Sequence, residues 1–533
     1  MKPIIYFGTI ISLFASQLSG APCPRFAVGS VVSQPEDLYS KNGILAVNLN
    51  YQTSVDPSGN ALYCFVNAAD GAQSPTLHVN PGDQLIVNLK NMVPSSMPSM
   101  PDMEISPPFC GASFMTATSV NIHYHGTNVP PTCGQDEVIK TTINSGESFT
   151  YHVHFPVDEP PGLYWYHPHI HGISEPAVQG GASGAIVVEG IQNVNSTVAK
   201  LPQQILMVRD NLVPGNPTPG GSIPSWDVSL NYIPIPYPAF TPAVIRMKPS
   251  ERQLFRLVNA SADTILHLQL VYDGVAQPLA VVALDGVPTG SQDGNSIGKT
   301  INYNDILVPP AGRVEFTVTG PALTVKTAIL QTLNIDTGPD GDNDPTRPLA
   351  DIKVSADASE PPVTLGPAGP QVTSPGMFAG LADLVPTVER NLYFSEVLSD
   401  PSNPNSPTNF YITVAGKTPV LFSPDNPPAI ITNQGSVEDW TIQNQAQELH
   451  EFHIHQIHFL VLEVNGVPVE DGQYYDTYQV PYWSGKGPYP SIKVRMDFRG
   501  PITGDFVYHC HILGHEDSGM MAIIRILPAT TVH

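Results

Sequence analysis

The segment YHCHILGHEDSGMM, residues 508–521, carries one thiol, three imidazoles and two thioethers in a short span. In an extended strand successive side chains point to opposite faces. Cys510 then faces one way, while His509 and His511 face the other, so a single strand can serve two metal centres. A cysteine sulfur, two histidines and a weak axial methionine are the ligand set of a blue-copper electron-transfer site. Cys510, His515 and Met520 supply all of that set but one histidine.

Working outward, three more His-x-His pairs occur where a strand would put both rings on one face: His123 with His125, His167 with His169, and His453 with His455. His450 precedes the last pair and is the natural remaining ligand for the thiolate site. The eight histidines at 123, 125, 167, 169, 453, 455, 509 and 511 would then surround a three-copper cluster.

The four segments IHYHGTNVPP (122–131), GLYWYHPHIHG (162–172), HEFHIHQIHF (450–459) and YHCHILGHEDSGMM resemble the four signatures of the multicopper oxidases, in the same order. The resemblance extends from about residue 40 to about residue 525 and its motifs are specific. It implies four copper ions. Type 1 copper would take His450, Cys510, His515 and Met520, and type 2 copper His123 and His453. One type 3 ion would take His125, His167 and His511, and the other His169, His455 and His509. The chain departs from the commonest third signature, with Glu451 where proline is usual and Gln456-Ile457 where many members have Gly-His. Neither departure falls on a ligand position of the family.

The implied activity is oxidoreduction. An outside reductant gives up single electrons at type 1 copper, and four of them reduce dioxygen to two waters at the cluster. Acids are needed there to deliver protons. Asp136, thirteen residues past His123, stands where similar proteins carry a proton-delivering aspartate. Glu516, directly after His515, resembles the glutamate of spore-coat laccases and bilirubin oxidases. Burial and neighbouring metal charge can poise such a carboxyl for proton exchange.

Internal echoes set the domain count. PGDQLIVNLKN ending at Asn91, PSERQLFRLVN ending at Asn259 and NQGSVEDWTIQN ending at Asn444 each join a polar turn, an alternating strand and an asparagine. Such recurrence implies three copies of one β-sandwich unit. GLYWYHPHIHG also echoes GDFVYHCHILG (504–514), with Pro168 in the place of Cys510. Aligning Asn259 with Asn444 puts Ile265, Leu268 and Leu270 where His450, His453 and His455 stand, so the middle unit is expected to hold no copper. The expected fold is all-β: three consecutive cupredoxin-like Greek-key sandwiches over residues 35–192, 200–365 and 385–533, with the cluster between the first and third. A low charged fraction of 13% and 56 prolines in 533 residues suit a loop-rich β protein.

Residues 1–21 read as an export signal: Lys2, an apolar run to about Leu18, then Ser19-Gly20-Ala21. No later stretch is apolar enough to span a membrane, so the expected protein is secreted, or periplasmic if bacterial; a monomer is expected. With Cys510 reserved for copper, Cys23, Cys64, Cys110 and Cys133 form an even set suited to an oxidising compartment. They allow three pairings, among which the sequence does not choose; Cys110 with Cys133, clamping the loop of His123 and His125, is the expected one. Asn195 and Asn259 begin glycosylation sequons. A net charge of −24 argues against a nucleic-acid partner.

Other candidates read as structural. His152 and His154 form a pair outside the signatures and suit a solvated strand face. His171 and His458 flank true motifs without matching ligand positions, and His267 falls in the middle unit. The loop MVPSSMPSMPDM (92–103) is apolar filler or a holder of soft Cu(I). The leading reading is a laccase-like oxidase of phenols or similar small aromatic donors, with dioxygen as acceptor. Alternatives are a cuprous or other metallo-oxidase and a copper-storage protein without turnover.

Overall fold

The computed structural model describes residues 22–95, 103–213, 223–291, 298–359, 361, 377–403, 405–470 and 472–529. The export segment and Met97 and Met100 lie outside the described residues. The regular secondary structure of the described residues is almost entirely β-strand, arranged as three successive pairs of facing sheets. In the first pair, Gln84–Asn91 lies between Ser148–His154 and Ile44–Val55. The opposing sheet runs from Asp37–Tyr39 through Thr76–Val79, Gly184–Val188 and Gly162–His167 to His123–His125. The third pair repeats this plan, with Val437–Asn444 in one sheet and His450–Ile454 beside Gly504–Cys510 in the other.

Alternation drives the outer strands. Leu45, Val47, Leu49 and Tyr51 of Ile44–Val55 are buried, while Ala46 and Asn48 between them are exposed and Asn50 is part-buried. Gly162–His167 and Gly184–Val188 do not alternate, because both their faces are covered. Tyr164, Tyr166, Ile186 and Val188 enter the first core. Leu163, Trp165, Ala185 and Val187 pack against Ile205, Met207 and Val258 of the middle sandwich.

The three echoed asparagines perform one job three times. Asn91 Nδ2 donates to the carbonyls of Thr118 and Ile143, Asn259 Nδ2 to Thr264 and Val308, and Asn444 Nδ2 to Glu448 and Val480. Each Oδ1 accepts from the backbone N–H two residues on. A buried amide thus ties the end of one central strand to two other segments of its sandwich, satisfying backbone groups that burial would otherwise leave orphaned. This corrects one expectation: Asn259 is fully buried and bonded, so it is no glycan acceptor. Asn195 is likewise buried, its Nδ2 on Thr300 Oγ1. In the middle sandwich Ile265, Leu268 and Leu270 are buried, the last two in its apolar core.

Disulfides join Cys23 to Cys64 and Cys110 to Cys133. The second brackets the strand His123–His125, as expected. Among the described residues no helix is long and apolar enough to cross a membrane.

A buried ionic triad fastens the edge of the first sandwich. His78 donates from Nδ1 to Glu189 at 2.7 Å and from Nε2 to Asp37 at 3.0 Å. Burial lowers its pKa, but the two carboxylates outweigh this and raise it above the ordinary histidine value. A raised folded-state pKa gives stability that is complete below the unfolded value of about 6.5 and is lost as pH climbs through the folded value. His78→Asn is therefore expected to cost about 1–3 kcal/mol at about pH 5.5 and less at about pH 9. Calorimetry of both proteins at the two pH values checks this; an equal cost at both would refute it.

Candidate metal centres

Two clusters emerge, joined by one strand. In the first, the Nδ1 atoms of His450 and His515 stand 3.1 Å apart, and 3.6 and 3.7 Å from the sulfur of Cys510. Three donor atoms converging at such distances fit a single ion among them. Cys510 sits opposite Phe452 across the ladder between Gly504–Cys510 and His450–Ile454, facing the third core, where Met520 is fully buried in the same apolar group. Burial pushes the Cys510 thiol well above its ordinary pKa. A coordinating cation is what would make it a thiolate. Leu513–Asp517 forms a short helix that brings His515 back beside the sulfur.

The second cluster lies between the first and third sandwiches, with four rings from each. His123 stacks on His455 at 3.8 Å between centroids, and His125 on His453 at 4.1 Å. His509 Nε2 lies 3.3 Å from His169 Nε2 and 3.1 Å from His455 Nε2, three lone-pair atoms facing one another. The buried nitrogens His123 Nε2, His453 Nε2, His125 Nδ1, His167 Nε2 and both of His511 have no protein partner. Buried polar atoms are ordinarily bonded, so so many orphans in one place mark seats for cations. Burial holds these rings in the neutral state; His167 is pushed down to about 3 and His509 to about 4. Neutral imidazoles are ready ligands. All eight histidines expected at the cluster, and all of the expected thiolate-site residues, are thus gathered at two places.

An outer layer aims the rings. His123 Nδ1 lies 3.0 Å from each oxygen of Asp136, which also accepts from Tyr124 N–H and from Gln456 Nε2 at 2.5 Å. His453 Nδ1 donates to the carbonyl of Asp476 at 2.8 Å, and His125 Nε2 reaches Asp476 Oδ1 at 3.1 Å. Arg313, from the middle sandwich, clamps Asp476 with both terminal nitrogens and bonds the carbonyl of Asp285. Burial pushes Asp476 up, but the guanidinium overrides it and holds this carboxyl below its usual range. Burial leaves Asp285 at about 7. With one nitrogen each of His123, His125 and His453 committed outward, the tautomer and the inward lone pair of these three rings are fixed.

Glu516 is fully buried, both oxygens lack a protein partner, and Oε1 lies 3.9 Å from His169 Nδ1. Desolvation raises its pKa well above the ordinary value. At the thiolate site, His450 Nε2 bonds Glu396 at 2.9 Å and His515 Nε2 bonds Glu448 at 3.1 Å. Burial and then the charge of Glu396 push Glu448 up to about 10. His515 shows a 12% exposed side chain, stacked on Phe410. That edge is where a donor could approach.

Sequence reading missed Glu396, Glu448, Asp476, Asp285 and Arg313. Glu448, two residues before His450, had a positional hint; the others had none. The decoys behave as structural groups. His152 and His154 are exposed on Ser148–His154, His458 Nε2 bonds the carbonyl of Asp285, and His267 pairs with Asp305. His171 packs against Phe422.

Family models described as multicopper oxidase match residues 115–193 and 401–529. The chain is 24% identical to the laccase of Bacillus subtilis (strain 168) over 453 residues, covering 75% of this chain and 78% of that one. It is 36% identical over 98 residues to the multicopper oxidase mco of Staphylococcus aureus, 17% of this chain and 20% of that relative. Among solved structures, a multicopper oxidase from Campylobacter jejuni described as a metallo-oxidase superposes with a TM-score of 0.65 at 22% identity, over 94% of this chain and 96% of that one. Two family models on the two histidine-bearing parts, a relative aligned over 78% of its own length and a fold shared with solved multicopper oxidases agree: the chain carries multicopper oxidase domains and is similar to the laccases of that family.

Proposed function

We propose that the protein is a secreted oxidase that couples one-electron oxidation of phenolic or similar small aromatic donors to reduction of dioxygen to water. The observation carrying this is the single strand Gly504–Cys510, whose last residues, with His511, feed both clusters. His450, Cys510, His515 and Met520 would hold type 1 copper, and the eight cluster histidines one type 2 and two type 3 ions. Copper in these seats supplies the cycling between Cu(I) and Cu(II) that passes single electrons toward dioxygen.

The chain's own residues do the rest. Cys510 is covalently continuous with His509 and His511, and His509 Nδ1 donates to the Cys510 carbonyl at 2.8 Å, adding a hydrogen-bonded shortcut between the two clusters. Asp136 and Asp476 hold the rings in register. Glu516 stands where a proton can be handed toward the cluster. Glu396, on the outer nitrogen of His450, stands where a phenol would shed its proton on losing an electron. Two disulfides, and the export-like residues 1–21 outside the described residues, support secretion.

One observation favours a second reading, a metallo-oxidase. Glu396 and Glu448 lie close enough to interact, and Asp340 and Asp342 add negative charge beside them. Hard oxygen donors next to an electron-accepting site suit an oxidisable metal cation. Oxygen uptake by the copper-loaded protein decides, with 2,6-dimethoxyphenol and cuprous ion supplied separately. Efficient phenol oxidation indifferent to added Cu(II) supports the first reading. Fast cuprous oxidation with copper-dependent phenol activity supports the second, and no uptake with either returns the storage reading. Glu396→Gln with Glu448→Gln is expected to raise KM for a cationic donor more than for a phenol; equal effects would count against the second reading.

Arg313→Met should leave Asp476 and Asp285 buried without their cation. Breaking a buried pair in this way costs about 3–5 kcal/mol. The variant is expected to melt earlier and to retain less copper at the cluster while keeping its blue type 1 absorbance. Calorimetry with metal analysis checks it, and wild-type copper content at wild-type stability would refute it.

A further inference from the structure

The sulfur of Cys510 accepts hydrogen bonds from the protein backbone as well as facing two imidazoles. Glu451 N–H donates to it at 3.4 Å, and Ile512 N–H is a second donor. The Glu451 donor exists only because residue 451 is not proline, the residue usual at this place in the family's third signature. Its carbonyl faces the same neighbouring strand, accepting from His511 N–H at 2.9 Å. The amide is thus directed at the sulfur, not at the strand Thr477–Val480 on the other side.

We propose that the Glu451 backbone N–H is a potential-setting group, which holds the type 1 copper at a higher reduction potential than a proline-bearing site of the same ligands. The inference rests on the type 1 reading above. An N–H dipole pointing at a thiolate stabilises charge on sulfur. In the oxidised site the sulfur gives charge to Cu(II); in the reduced site it keeps more of it. The dipole therefore favours the reduced form, and hydrogen bonding around the cysteine sulfur is an established lever on such sites. The lever here is the main chain. The Glu451 side chain is fully buried with neither oxygen bonded to protein, and it acts on the sulfur through its charge alone, which the glutamine variant isolates.

The test uses the full-length copper-loaded protein. Glu451→Pro removes the N–H; Glu451→Gln keeps it and changes only the side chain. Spectroelectrochemical titration of the blue band is expected to show Glu451→Pro easier to oxidise by about tenfold in the equilibrium constant with a one-electron mediator, or 59 mV lower. Glu451→Gln is expected to move by much less. A proline variant that is blue with unchanged potential overturns the proposal, and so does a glutamine variant that shifts as far. Absence of a blue band in the wild-type protein would instead sink the type 1 reading itself. Should Glu451→Pro not fold, Ile512→Pro puts the same question to the second donor, since Ile512 has a φ of −75°, which proline accepts. Its control is Ile512→Val, which keeps the N–H; a fall in potential confined to the proline variant supports the backbone lever and its absence overturns it.

Discussion

Cys510→Ser is expected to abolish the blue absorbance and to drop donor oxidation to the level of the copper-free protein, while the cluster keeps its copper. Serine occupies the same fully buried position without strain. Its hydroxyl is a hard donor, poorly matched to Cu(I), and it lacks the soft sulfur through which the type 1 site communicates with the strand. His509 and His511 are untouched, so the eight-ring cluster should load as before. Absorbance, copper stoichiometry and oxygen uptake together make the check. Continued phenol turnover at the wild-type rate would mean that donors reach the cluster directly, and the two-site scheme would fail.

Glu516→Gln is the second large effect. Glutamine matches the carboxyl in volume and hydrogen-bonding reach and carries no transferable acid proton, so the buried packing around Leu513–Asp517 should persist. Loss of a positioned proton donor costs about 10²–10⁴-fold in rate. Anaerobic reduction of the blue band by a phenol should be unaffected, whereas reoxidation of the reduced protein by dioxygen should slow by that factor. Stopped-flow measurement of the two half-reactions separates them. Equal slowing of both would point to a distorted type 1 site, and unchanged turnover would remove Glu516 from the proton path.

What could be read ahead from the chain, and what could not, divides by sequence distance. Ligand pairs on single strands declare themselves, because strand periodicity and metal chemistry both act within a few residues. Asp136 was legible for the same reason, thirteen residues from the ring that it orients. Asp476 meets His125 across 351 residues, and Arg313 reaches it from a sandwich that holds no ligand. Nothing local distinguishes Arg313 from Arg209, Arg256 or Arg347, which are also buried in that part of the fold. Only the docked sandwiches reveal which of the four faces the cluster. Asn259 stood in the sequence both as the start of a sequon and as the end of a recurring strand; burial, with its amide holding two carbonyls in the interior, gives it the structural role.

The eight rings of the cluster are split evenly between two sandwiches that lie at opposite ends of the chain. Under the proposed assignment each of the three ions draws rings from both halves, although His123, His125 and His167 of the first sandwich also converge by themselves. Filling the seats and closing the interface are then one equilibrium, in which each lends the other its free energy. A partly synthesised or wrongly docked chain can gather copper at the thiolate site without acquiring the chemistry that handles dioxygen. On the proposed function, catalytic competence would report complete assembly, and the metal would act as the last stitch that holds the ends of the molecule together.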